Sequence, residues 1–525
     1  MLDPVHHECG IAAVYRMDRV LAPGEFESGS VVRMMPDMLI DLQNRGQLAA
    51  GLTRYNRSAS QILDTYKGVG SVTDVFHLTH PDTRRFEAIV DEYQGQAAIG
   101  HVRYATCGRD DPAYAQPFER HDGRKWEWFA FGFNGNIANY SELRAKLLAK
   151  GDYHLVRETD TELLMHLLAY ALSHSSDQDF VEVFRYIDSV VDGAYCVAFL
   201  NAAGDLVLAR DPRGFRPLCY GVRGNTFAAA SESLPLTNKG FEDVKDLEPG
   251  CLVHVRPEGY EIRRFAESER KAYCFFEWVY FANVASTIND RSVYVTRTRL
   301  GEALAESESV STSPDDCVAV PVPDTAKAAC DGMAYKLGIP SREGLIRNRY
   351  VGRTFIEGRN RKERASRKYT ALPEVLKGKR VFLVEDSIVR STTLRVIVKM
   401  IRERGGAKEV HIRVSCPPIM APCSYGIDMS TVSELIAPGF FNEPQREVTP
   451  AAQLEELAQE LGTDSLRYLT LDALTAAIGL PEEDLCLACL LGKYPTPWGG
   501  RLYQEALRTR DRPEAGRTHE RVIGS

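Results

Sequence analysis

The chain has 525 residues, 44% hydrophobic and 26% charged, with a formal net charge of −8. That length accommodates more than one hydrophobic core. The acidic balance argues against nucleic acid as the main partner, and no uninterrupted apolar run approaches the roughly 18 residues of a membrane span. Met1 to Glu8 has neither a positive n-region nor an apolar h-region, so no secretory leader is expected and a cytoplasmic location follows by default. Twelve cysteines in such a chain are expected to be reduced, and the closely spaced ones are candidates for metal binding or catalysis.

In chain order, short alternating segments begin at Gly10, Ala194, Asp205 and Cys251 and read as strands, with a helical stretch over Thr161–Leu172. The pattern suggests packed sheets with helices. From about residue 290 the grammar changes. Val318–Val322 and Val381–Val384 are continuous β-branched runs, typical of strands buried on both faces. Thr392–Arg404 carries Leu394, Ile397 and Ile401 at helical spacing, Gly405 and Gly406 end it, and Val410–Val414 starts the next strand. Strand–loop–helix–strand is the signature of a parallel α/β sheet. A boundary is expected between 265 and 290, and a frayed, charged tail after about 505.

Cys9 sits in His6-His7-Glu8-Cys9-Gly10-Ile11. Were the first eight residues removed, Cys9 would carry a free α-amino group, whose pKa of about 7.7–8.0 suits a general base for its own thiol. A small core cysteine at a strand start is the alternative. Taken singly, Arg103 and Asp160 read as solvated surface charges, and Asn134-Gly135 is the commonest hairpin turn signal.

In the second half, Glu385-Asp386-Ser387-Ile388-Val389-Arg390-Ser391-Thr392-Thr393 follows a buried strand and opens a helix. Hydroxyls and N–H groups at a helix N-terminus suit an anion, and adjacent carboxylates suit vicinal hydroxyls or hydrated magnesium. An acidic turn with a Ser/Thr N-cap explains the same residues. Cys486-Leu487-Ala488-Cys489 is redox-active, metal-binding or incidental as it stands, since a metal centre needs two more ligands.

Taken together and in order, Asn44–Gly51, Gly100–Thr106, Asn134–Asn136 and Glu158–Glu162 closely resemble the glutaminase domain of the N-terminal-nucleophile amidotransferases. The 384–393 stretch is similar to the phosphoribosyl pyrophosphate motif of type I phosphoribosyltransferases. Pro321–Thr325, Gly344–Phe355 and Tyr425–Asp428 narrow the resemblance to the amidophosphoribosyltransferase family, in its iron–sulfur branch with a short propeptide. The resemblance covers about residues 9 to 500. It implies an αββα glutaminase joined to a type I phosphoribosyltransferase with a parallel sheet: a propeptide at 1–8, the glutaminase at 9–270, the transferase at 271–505 and a flexible tail at 506–525.

The activity it implies is synthesis of phosphoribosylamine from glutamine, phosphoribosyl pyrophosphate and water. Cys9, Arg45, Asn134 and Gly135 would be catalytic, and Arg103, Tyr104, Thr106 and Asp160 would bind glutamine. Asp324, Thr325, Glu385, Asp386, Ser387, Arg390, Ser391, Thr392 and Thr393 would bind phosphoribosyl pyrophosphate, with magnesium at Thr325, Glu385 and Asp386. Cys274, Cys423, Cys486 and Cys489 would hold a structural [4Fe–4S] cluster, with Cys416 the rival for Cys423 and zinc the rival metal. The resemblance further implies a homo-oligomer inhibited by purine nucleotides, a mobile loop near 349–370, and Tyr104 and Arg353 as relays between sites. Glu385 stands where this family usually has Asp, Ser391 replaces the usual glycine, and the stretch 357–368 is short. A nucleotide sensor with weakened catalysis and a glucosamine-6-phosphate synthase are the competing readings.

Overall fold

The computed structural model describes residues 9–18, 21, 30–104, 111–348, 368–429, 431–444, 446 and 450–510. The expected propeptide, Thr106, Arg353 and most of the expected mobile loop lie outside the described residues.

Two antiparallel sheets form the first half. One has seven strands in the order Lys245–Asp246, Cys219–Arg223, Thr226–Ala230, Gly10–Arg16, Ala97–Arg103, Ala49–Tyr55, Leu63–Val69. The other has six, in the order Gly259–Arg264, Cys251–Arg256, Leu206–Arg210, Gly193–Asn201, Phe129–Ile137, Phe118–Arg120. Strand alternation decides how they stack. Ile11, Ala13 and Tyr15 point to one side and pack with Ala130, Ala198 and Leu208 of the other sheet. Ala12 and Val14 point to the opposite side, where Met35 and Leu39 of the helix Val31–Asp41 cover them. The outer face of the second sheet, with Phe129, Phe131 and Val197, is covered by the helices Asp160–His174 and Phe180–Val190. The result is the expected αββα stack.

The second half is built on a parallel sheet, in the order Cys317–Pro321, Arg380–Glu385, Glu409–Val414, Ser465–Tyr468. Val318, Ala319, Val320 and Val381–Val384 are buried, which explains their continuous apolar character. The helix Ser391–Glu403 follows the second strand, and Lys327–Leu337 follows the first and ends at Gly338, whose φ of 67° is the left-handed cap that glycine supplies without strain. The last helix, Pro497–Arg508, runs three residues into the segment expected to be a tail, because Ala506 is buried.

The halves are joined by buried polar and aromatic contacts. Asn136 Nδ2 donates to the Ser424 C=O at 2.8 Å, and Phe215 stacks on Tyr425 with centroids 4.1 Å apart.

Candidate active site

Cys9 immediately precedes the central strand Gly10–Arg16, whose neighbour pairs Gly10 with Val102. That register brings Arg103 and Tyr104 beside the cysteine, and Cys9 Sγ donates to the Tyr104 C=O at 3.8 Å. Gly46 permits the approach: a Cβ there would lie 2.5 Å from the Arg103 carbonyl carbon. A cleft of about 380 Å³ is lined by Cys9, Arg103, Tyr104, Gln116, Phe133, Gly135, Asp160 and Thr161, among others. Residues far apart in sequence therefore meet there: the thiol, a guanidinium, a glycine N–H and a carboxylate.

Asn134 and Gly135 are not a hairpin turn. They lie inside the strand Phe129–Ile137, paired with Cys196 and Tyr195. Asn134 Nδ2 donates to Ser231 Oγ at 3.4 Å, and the same oxygen accepts the Ile11 N–H at 3.0 Å, which ties this wall to the strand after Cys9. Asp160 opens the helix Asp160–His174, capped by Thr159. Sequence reasoning passed over the residue that shapes this turn. Glu162, buried, accepts the N–H groups of Val156, Arg157 and Glu158 at 2.6–2.9 Å.

Arg45 is placed differently from the expectation of a site residue. It does not line the cleft. Its guanidinium is fully buried, with Nε 2.5 Å from Glu232 and Nη2 2.6 Å from Glu277. Arg216 lies 3.5 Å from Glu277 and donates to the Tyr425 C=O. Glu232 also accepts the Asn283 N–H and the Ser286 hydroxyl, each at 2.7 Å. Removing one partner from such an array leaves an uncompensated buried charge, so these four residues fasten the two halves together. Arg45 remains near the nucleophile, because its Cδ is 3.4 Å from where a Cβ on Gly10 would sit.

In the parallel half, the turn after Arg380–Glu385 meets the turn after Cys317–Pro321. Thr325 Oγ1 donates to Asp386, and Ser387 Oγ donates to the other oxygen of Asp386 at 2.7 Å. Arg347 reaches Asp324 at 3.4 Å. Burial raises the Glu385 carboxyl well above the usual range, and the neighbouring Asp386 adds to this. Burial also raises Asp386, against the hydrogen bonds from Thr325 and Ser387 and the charge of Arg297. Ser391 is the first residue of the helix Ser391–Glu403, so it and Thr392 and Thr393 form the first turn, preceded by Arg390, which pairs with Glu434 at 2.5 Å.

Cys274, Cys423, Cys486 and Cys489, spread over more than 200 residues of sequence, line one pocket with Phe215, Arg216, Tyr425 and Ile427. Parallel pairing sets Cys274 directly against Cys486. Cys416 does not line this cavity, whereas Cys423 does. Burial pushes the Cys486 thiol up to about 12, and burial with the neighbouring thiols of Cys423, Cys274, Cys486 and Cys416 raises Cys489 well above its ordinary value. Among the described residues no three His, Cys, Asp or Glu side chains converge as one metal ion requires. No helix among them is long and apolar enough to cross a membrane.

An αββα stack with a thiol, a guanidinium, a glycine N–H and a carboxylate in one cleft, fused to a parallel sheet with an acidic turn at a helix start, defines an N-terminal-nucleophile-type glutamine amidotransferase carrying its own phosphoribosyl acceptor domain. Residues 101–238 match the glutamine amidotransferase domain family. Amidophosphoribosyltransferases from Methanothermobacter thermautotrophicus and Archaeoglobus fulgidus are 37% and 38% identical, over 94% and 93% of this chain and 95% and 98% of theirs. The solved glutamine phosphoribosylpyrophosphate amidotransferase of B. subtilis, complexed with ADP and GMP, matches with a TM-score of 0.78 and 34% identity, over 93% of this chain and 98% of that one. The chain belongs to the amidophosphoribosyltransferase family, pentosyltransferases of purine biosynthesis that move the amide nitrogen of glutamine onto phosphoribosyl pyrophosphate.

Proposed function

We propose that the Cys9 cleft hydrolyses glutamine and that the 384–393 turn accepts the ammonia released. The observation that carries this reading is the convergence of Cys9, Arg103, Gly135 and Asp160 on one cleft. With Met1–Glu8 removed, the α-amine of Cys9 takes the thiol proton and the thiolate attacks the side-chain carboxamide. Arg103 holds the α-carboxylate and Asp160 the α-ammonium. Asn134 Nδ2 and the Gly135 N–H donate to the oxyanion. The protonated amine returns its proton to the leaving ammonia, and water then hydrolyses the thioester to glutamate. Tyr104 completes the binding wall. Arg45 acts from behind it, by fixing the strand after Cys9 to Glu232 and Glu277.

In the acceptor half, Glu385 and Asp386 hold the ribose hydroxyls and Arg390–Thr393 hold the 5′-phosphate. Two carboxylates and the Thr325 hydroxyl are a hard oxygen set that fits magnesium, with Asp324 beside it. Magnesium, when bound, neutralises charge on the departing pyrophosphate. Ammonia displaces that pyrophosphate at the anomeric carbon and loses a proton, giving phosphoribosylamine. Four thiols around one apolar pocket are a soft donor set that fits a [4Fe–4S] cluster, with zinc the rival metal. The cluster's contribution is structural. Cys274, Cys423, Cys486 and Cys489 would hold the cluster, in a cytoplasmic enzyme divided near residue 270. Purine nucleotides inhibit a homo-oligomer in this reading, as the ADP and GMP on the B. subtilis enzyme suggest.

The decisive experiment measures glutamate and pyrophosphate release by the mature protein, with and without phosphoribosyl pyrophosphate and magnesium. Matched release that depends on both is expected. Glutamate without pyrophosphate overturns the acceptor assignment and favours the sensor reading, for which Ser391 is the one argument.

A further inference from the structure

Gln116 lines the cleft between two walls that the chemistry uses separately. The short strand Phe118–Arg120 pairs with Phe129–Ile137 only as far as Phe118 opposite Phe131. Beyond it, side chains take over the edge: Gln116 Oε1 accepts the Phe133 N–H at 2.7 Å, and His101 Nε2 meets the Phe133 C=O at 3.1 Å. Burial pulls His101 down to about 3, so its ring is neutral and Nε2–H is the donor. In an antiparallel strand, alternate residues turn their N–H groups to the same side. The Gly135 N–H therefore faces the edge that Gln116 closes.

At its other end, Gln116 Nε2 donates to Thr161 Oγ1 at 3.4 Å, and the Thr161 N–H donates to the Asp160 carboxylate at 2.8 Å. The backbone of Gln116 is held as firmly. A Cβ on Gly51 would lie 2.5 Å from its carbonyl oxygen. Lys67 Nζ donates to the carbonyls on either side, Ala115 at 2.7 Å and Pro117 at 3.0 Å.

We propose that Gln116 is a specificity-determining positioning residue: by bridging Phe133 and Thr161 it fixes the span between the Asn134–Gly135 wall and Asp160, and so the length of amino-acid amide that fits. This rests on the Cys9 cleft being the glutamine pocket. Glutamine and asparagine carry the same polar ends, one methylene apart. A cleft whose two walls are held at one distance aligns only one of them with the thiol.

The test compares rates of Cys9 alkylation by the diazoketone analogues of glutamine and asparagine on the mature protein. Both rates come from one preparation, so loss of folded protein cancels in their ratio. Gln116→Met keeps the volume and removes both hydrogen bonds; Thr161→Val cuts the bridge at its other end. Each should lower the glutamine-to-asparagine ratio by roughly tenfold or more. Gln116→Glu, which keeps an acceptor for the Phe133 N–H, should recover at least about threefold of that loss. A ratio within about threefold of the parent in either Gln116→Met or Thr161→Val overturns the proposal, because the span needs both ends, and leaves the glutamine pocket standing. No alkylation of Cys9 in the parent by either reagent overturns the pocket itself.

Discussion

Gly135→Ala tests the oxyanion wall most directly. A Cβ at this position would lie 2.0 Å from the Ala194 carbonyl oxygen and 2.9 Å from Tyr195 Cα. Both are backbone atoms of the paired strand Gly193–Asn201 and have no rotamer to change. Ordinary carbon–oxygen contacts between strands are roughly 3.3–3.6 Å, so the strand carrying Asn134 must move by more than about 1 Å. Overpacking of this kind costs about 1–3 kcal/mol, or a fall in Tm of roughly 2–12 °C for a unit of this size. The catalytic loss should be larger. A displaced oxyanion donor costs about 10²–10³ in rate, and the shift moves the Asn134 amide and the Gly135 N–H together. The assay is steady-state glutaminase activity beside ammonia-dependent synthesis on the same sample. Glutamine-dependent kcat should fall at least about a hundredfold relative to the ammonia-dependent rate. A folded variant that keeps glutamine-dependent kcat within about threefold would remove Gly135 from the oxyanion site.

Cys9→Ala should abolish glutamine-dependent synthesis while ammonia-dependent synthesis persists; retained glutamine use refutes the nucleophile. Arg45→Met leaves Glu232 and Glu277 facing each other without their shared cation and should cost about 3–5 kcal/mol, seen as a Tm lower by roughly 6–20 °C. An unchanged Tm with lost glutaminase would instead return Arg45 to the chemistry. His101 has a folded pKa of about 3 against an ordinary 6.5, so the unfolded chain binds a proton that the folded chain refuses between those values. Stability is therefore lost as pH falls through that window, by about 1.4 kcal/mol per unit. His101→Gln, which keeps a donor for Phe133, should flatten the slope in denaturant titrations at pH 4–6; an unaltered slope refutes the assignment. Anaerobically purified protein should be brown with about four irons per chain, and Cys486→Ser should lose the colour; stoichiometric zinc in place of iron overturns the cluster.

The sequence by itself determined the layers. Period-two segments at 10, 194, 205 and 251 became antiparallel strands, and the continuous runs at 318 and 381 became strands buried on both faces. Local patterning suffices there, because side-chain direction follows directly from backbone period. The chemically distinctive residues were legible only as an ordered set, through the family resemblance: Cys9, Arg103, Gly135 and Asp160, and the cysteines at 274, 423, 486 and 489. What only the tertiary structure decided are the pairings that carry no local period. Arg45 reads in sequence as another charge near a motif, and only folding shows it enclosed by Glu232 and Glu277, 187 and 232 residues away. Asn134-Gly135 alone favours a turn, and the pairing with Cys196 and Tyr195 makes it a strand. Gln116 and Ser231 show no signal at all, because a side chain that caps another segment's N–H or hydroxyl is chosen by where that segment arrives. Cys274 meets Cys486 for the same reason: register between distant strands is a property of the whole fold, and two residues of pairing are enough to set it.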